Sequence, residues 1–409
     1  MVFEPRTSTA TQSRLVSADG CTFRVSWRSR DADQSELSPL KHGVSSERIV
    51  NTISNRLVHH LDTLRTTYQW SSSLLQSNEV CQVVIRDLGP GLEGAAVTGG
   101  SAEPYLAFNC RPVLSDPDAE QIRLGNVALH ELVHLLQFAT ETWKYWPARG
   151  RWGLNDPNWW LHEAVALAIE ATAGESVALW FPWLWDWAVS PHVSIESDSS
   201  GSAAAPFLMF LINRCGPSLP AMIYSLTPGD VVSMGAADLL DHAISRVDSS
   251  RNLADEFLTF CTHAGLLGVN GCELDPLIET VVGRRARTAR HSEVGTQQWN
   301  TDGGSIEHLA CRYFEFVPRT GTRCRVEIAD AAAATRSSIK ATCTVIDRNA
   351  NAIRSVHQVP VTENEPATTI TLRDGEWLLT TVVNTAFGSG WATKNQPRFS
   401  LRISDVADV

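Results

Sequence analysis

Residues from about Asp118 to Thr140 carry apolar side chains at helical spacing, among them Leu129, Val133, Leu136 and Phe138, yet the same stretch holds His130-Glu131-Leu132-Val133-His134. No other feature restricts the fold as much, because burying two imidazoles and a carboxylate in an apolar helix is costly unless something satisfies them. Positions four apart on an α-helix share a face one turn from each other, so His130 and His134 converge on one point. Glu131 projects beside that point.

The spacing His-Glu-x-x-His recurs in zinc hydrolases for this reason: two ligands and a general base sit on one helix. Zinc lowers the pKa of its water to ~7 and polarises a carbonyl, and the carboxylate moves the proton. A third protein ligand is needed, with an open position left for water. A second helix is predicted from Trp159 to about Thr172, closed by Gly174, and its Glu163 is followed by small residues that allow close packing. His162 is the competing ligand; it points roughly 100° away from its neighbour on a helix.

The segment Trp160-Leu161-His162-Glu163-Ala164-Val165-Ala166 resembles the Trp-Leu-x-Glu-Gly-x-Ala pattern of the gluzincin group of metallopeptidases, whose third ligand is a Glu on the helix after the motif. The resemblance implies His130, His134 and Glu163 as Zn²⁺ ligands, Glu131 as general base, and hydrolysis of peptide bonds in a peptide or protein substrate. It also implies a zincin-like domain with a C-terminal β-domain, a likeness of pattern covering about residues 40–405.

Ala164 stands where Gly is usual, and 28 residues separate His134 from Glu163, longer than in the thermolysin or aminopeptidase branches. No acid lies four residues after Glu163; Glu170, two turns on, is the nearest on that face. The oxyanion-stabilising residue is fixed by no motif, with Tyr145, His192 and Tyr224 as candidates by position.

Around the motif the chain reads as strands first and helices afterwards, an α+β arrangement with a small mixed sheet. Strands are predicted at Thr22–Trp27, Val80–Ile85 and Tyr105–Asn109, the last as an edge open to strand addition by an extended substrate. A helix is predicted from Ser46 to about Tyr68, and further ones at about Pro206–Arg214, Leu219–Tyr224, Ala236–Arg246 and Leu253–Leu266. Nine of the fourteen tryptophans lie between Trp143 and Trp187, as core anchors or as the wall of a substrate cleft. After a basic run at 283–291, seven short alternating stretches between Tyr313 and Ile403 predict a β-sandwich, with Asp374-Gly375 marking a hairpin. The expected organisation is a loosely held terminus (1–20), a catalytic domain (21–290) and an all-β sandwich domain (300–409).

A net charge of −11 opposes nucleic acid or an anionic membrane as partner. No stretch offers ~18 consecutive apolar residues for a membrane span. The first residues lack a secretory leader, so a soluble chain is expected, cytoplasmic or exported by a leaderless route. Nine cysteines with no Cys-x-x-Cys pair read as mostly buried thiols, with Cys261–Cys272 and Cys311–Cys324 as the bridges an oxidising compartment would allow. The reading from a different class is a catalytically impaired zinc-site protein that holds a glycan or protein partner through its β-domain and tryptophan-rich surface.

Overall fold

A computed structural model describes residues 11–18, 21–28, 46–71, 80–89, 91–99, 102–110, 114, 116–140, 158–175, 190–197, 201–226, 234–274, 290–294, 298–301, 306–318, 320–330, 338–361, 367–387 and 398–405. Within them the protein is α+β, with seven helices and three sheets. It divides into two compact units, the first made of residues 1–149, 166–180 and 217–231, the second of 150–165, 181–216 and 232–409.

The first unit opens with β1 (Thr11–Ala18) and β2 (Cys21–Arg28), followed by α1 (Ser46–Thr66), β3 (Cys81–Arg86), β4 (Gly94–Gly99), β5 (Ala102–Asn109) and α2 (Pro117–Ala139). Its sheet is mixed, in the order β1-β2-β3-β5-β4. β3 runs parallel to β2 and β5, while β1 and β4 are antiparallel to their neighbours. Helix α1 forms because Ile49, Val50, Ile53, Leu57, Leu61 and Leu64 make one apolar stripe, and all six are buried. Helix α2 starts where Asp116 accepts the Asp118 amide as N-cap and Pro117 presets the first turn. It is buried on nearly every side, from Glu120 to Phe138.

Two expectations are corrected here. Thr11–Ala18, expected in a loosely held terminus, pairs along its whole length with β2, because a polar strand needs only backbone partners at a sheet edge. Tyr105–Asn109 is not an edge: β5 is paired by β3 on one side and β4 on the other, and the edge is β4. The Gly-Ala-Ala-Val-Thr-Gly sequence of β4 lacks the bulky alternation that marks strands.

In the second unit, α3 (Trp159–Ala173, shared with the first unit from Ala166 onward) is followed by α4 (Ala205–Cys215). The short α5 (Leu219–Ile223) belongs to the first unit, and α6 (Ala236–Val247) and α7 (Leu253–Gly265) return to the second. Phe207 of α4 packs edge-on to Phe257 of α7 at 5.1 Å, with Phe210 and Phe260 completing the cluster.

Strands β6 (Arg290–Val294), β7 (Gln298–Thr301), β8 (Ala310–Val317), β9 (Thr322–Asp330), β10 (Ile339–Asp347), β11 (Ala352–Val359), β12 (Thr368–Leu372), β13 (Glu376–Asn384) and β14 (Phe399–Asp405) form two sheets, β11-β10-β13-β8-β6 and β12-β9-β14-β7. One core is shared between them, with Phe314 of one sheet packed edge-on against Phe399 of the other at 5.7 Å. All seven expected strands are present in this sandwich. The turn at Asp374-Gly375 is not a hairpin, since β12 and β13 belong to opposite sheets. Alternation reads the same for a strand that pairs with its predecessor and one that crosses to the facing sheet, so the local sequence is silent on the difference.

Helix α7 lies on the outer face of the five-stranded sheet: Tyr313 donates its hydroxyl to the Cys261 carbonyl at 2.8 Å, and Thr262 bonds Thr342 at 2.9 Å. This cover buries β13 on both faces, every residue from Glu376 to Asn384. None of the nine cysteines is in a disulfide, so neither the Cys261–Cys272 nor the Cys311–Cys324 bridge is formed. Among the described residues no helix is long and apolar enough to cross a membrane.

His60 of α1 bears on stability. It is buried, its Nε2 donates to the Gly125 carbonyl at 3.0 Å, and its Nδ1 has no hydrogen-bond partner. Burial pushes its pKa down from 6.5 to about 4, the backbone bond opposing and His59 and Arg56 assisting. The unfolded chain therefore binds the proton more readily between those values, and stability falls as pH drops from 6.5 to 4. We expect His60 to remove about 3 kcal/mol across that window. Urea midpoints at pH 7 and 4.5 should diverge less in His60→Gln than in the wild type; equal divergence would refute the assignment.

Candidate metal centre

The helix that buries the motif also aims it. His130 and His134 lie one turn apart on α2, their rings edge to face with centroids 4.7 Å apart and their Nε2 atoms 3.1 Å apart. Each ring is held from its far side. His130 Nδ1 bonds Glu170 Oε2 at 3.1 Å, and His134 Nδ1 bonds Gln137 Oε1 at 2.8 Å.

A carboxylate or amide oxygen in these contacts accepts, so in the neutral rings each Nδ1 carries the proton and each Nε2 presents a lone pair. Two lone pairs facing each other at this distance repel unless a cation lies between them. Tetrahedral zinc with Zn–N bonds of ~2.0–2.1 Å holds its nitrogens about 3.3 Å apart, close to what the two rings show.

Glu163, in the first turns of α3, supplies the third donor. One ligand atom from each of His130, His134 and Glu163 lies within 4.8 Å of the others, His134 buried and the remaining two partly exposed. The donor set and its spacing fit a metal ion held by three protein ligands, and the partial exposure leaves one side open. His162, the competing ligand, is buried beside the Trp159 ring at 5.5 Å and is not in this group.

Glu131 faces the sheet edge. Its Oε2 accepts the Ala96 N–H of β4 at 2.6 Å. The approach depends on Gly94, where a Cβ would sit 2.8 Å from both Glu131 Cγ and Val127 Cγ1. The start of β4 is tied to α2 by Arg123, fully buried, which bonds both oxygens of Glu120 and Oε2 of Glu93. Burial raises the Glu93 carboxyl above its ordinary pKa, Arg123 opposes this, and Glu120 and Glu170 add to the rise.

Of these residues Glu170 was legible in the sequence, since seven positions after Glu163 is two turns along the same face. Gln137 carried a fainter signal, three residues after His134 on one helix. Gly94, Ala96 and Glu93 carried none, because their roles arise from β4 packing on α2. Among the oxyanion candidates, Tyr224 is buried and stacks on Trp70 at 5.5 Å, and His192 is exposed. Tyr145 lies outside the described residues, as do most of the clustered tryptophans.

Residues that orient a metal-bound His typically contribute ~10–100-fold to metal affinity. Glu170→Ala and Gln137→Ala should each weaken zinc binding by about that factor, measured by competition with a chromophoric chelator. Affinities within twofold of wild type in both variants would show that the Nδ1 bonds do not orient the rings.

No protein-family model matches the chain, and no curated protein does. Among solved structures, PliG from Salmonella Typhimurium, a periplasmic inhibitor of g-type lysozyme, is similar over 29% of this chain and 98% of its own, at 16% identity and a TM-score of 0.18.

Proposed function

We propose that the protein is a zinc-dependent peptidase. The observation that carries the reading is the gathering of one donor atom from each of His130, His134 and Glu163 within 4.8 Å of one another, beside a carboxylate, Glu131, that no ligand role requires. His130, His134 and Glu163 would hold the ion. When bound, zinc supplies Lewis-acid polarisation of a carbonyl and a water acidic enough to ionise near neutral pH.

The remaining work falls to side chains of the protein. Glu131 takes the proton of the attacking water and delivers it to the leaving nitrogen, as a carboxylate base does in hydrolysis. Its bond to Ala96 N–H holds the carboxylate at the sheet edge, in an orientation set by backbone. Glu170 and Gln137 keep both imidazoles in the tautomer that presents Nε2 outward.

Elemental analysis should find one zinc per chain in the wild type, and little in His134→Ala or Glu163→Ala. Glu131→Gln should keep its zinc while losing about 10³-fold or more of the turnover of a fluorogenic peptide library, the scale at which loss of a positioned base acts. A wild type that takes up no zinc, or a Glu131→Gln variant with undiminished turnover, would overturn the proposal.

A further inference from the structure

The third ligand is seated by a residue far from the motif in sequence. Gly201 lies in a buried turn, Gly201–Ala204, that leads into α4. Its φ is +69°, in the region that side-chain-bearing residues rarely adopt. A Cβ at this position would stand 2.4 Å from the Ala164 amide nitrogen, 2.6 Å from Glu163 Cβ and 2.6 Å from the Trp160 carbonyl oxygen. Two of these atoms are helix backbone and the third is the root of the ligand side chain, so none can swing aside. The Gly201 carbonyl meanwhile accepts the amides of Ala204 and Ala205, both at 3.0 Å, which fixes it to the start of α4.

The turn thus touches α3 at the peptide joining Glu163 to Ala164, with room for a hydrogen and nothing larger. Where the gluzincin pattern has Gly after the ligand, this chain has Ala164, and the glycine set against that peptide is Gly201. We infer that Gly201 is a positioning residue for the metal site: its lack of a side chain lets the turn clamp the first turns of α3 and set where the Glu163 carboxylate stands. This inference rests on the metal-site reading above.

The test is a double-mutant cycle on the zinc dissociation constant, using the full chain as wild type, Gly201→Ala, Glu163→Ala and the double variant. Gly216→Ala is the control, because Gly216 also has positive φ (+99°) but nothing within 4 Å of an added Cβ. Gly201→Ala should weaken zinc binding at least tenfold in the wild-type background and less than twofold in Glu163→Ala, while Gly216→Ala leaves affinity unchanged.

An equal loss in both backgrounds, or none, would overturn the inference and leave the metal site standing. So would a Gly201→Ala chain that loses its far-ultraviolet helical signal without metal, which would place Gly201 in the fold and not in the site. A wild type without zinc affinity would overturn the metal-site reading and this inference together.

Discussion

Two imidazole nitrogens face each other across 3.1 Å, where the lone pairs of neutral rings repel, and much of the surrounding structure serves to hold them there. Helix α2 sets the one-turn spacing, and Glu170 and Gln137 accept hydrogen bonds on the far side of each ring. Without those outer acceptors either ring could turn or change tautomer, and the facing geometry would relax. Glu170 belongs to α3, so this helix contributes both Glu163 toward the convergence point and a support behind one of the two imidazoles. A helix face with acids seven residues apart does both because two turns bring the chain back to nearly the same azimuth.

The edge of the first sheet is part of the same construction. Strand β4 can reach α2 only because Gly94 offers no side chain where Glu131 and Val127 stand. Arg123 anchors the approach from inside. A buried guanidinium flanked by Glu120 and Glu93 is tolerable because it is hydrogen-bonded on both sides; removing Arg123 itself would strip buried Glu120 of this counter-charge, at a cost of about 3–5 kcal/mol. The amide of Ala96 then meets Glu131, joining the backbone of the sheet edge to the carboxylate beside the two histidines.

The second unit follows a different logic. Its sandwich has one shared core, but the five-stranded sheet is also covered on its outer face by α7, through Tyr313, Thr262 and Thr342. Strand β13 is buried on both faces in consequence, and so carries Leu, Thr and Val in near-continuous succession instead of strict alternation. The helices of this unit and the sandwich share packing through α7, and the phenylalanines of α4 and α7 form a cluster of their own.

The amino-acid sequence by itself determined every element whose signal is local and periodic. The apolar stripe of α1, the helices from α2 to α7 and the seven expected strands of the sandwich all follow from side-chain spacing within one element. The candidate ligands on α2 were legible for the same reason, since helical periodicity dictates that His130 and His134 share a face. What only the tertiary structure decided are relations between elements distant in sequence: β4 as the sheet edge, the sheet change between β12 and β13, the Ala96 contact to Glu131, and Gly201 against Glu163. A glycine or an alanine records nothing locally about which backbone will approach it, because that requirement is imposed by the partner, and the partner is chosen only when the chain packs.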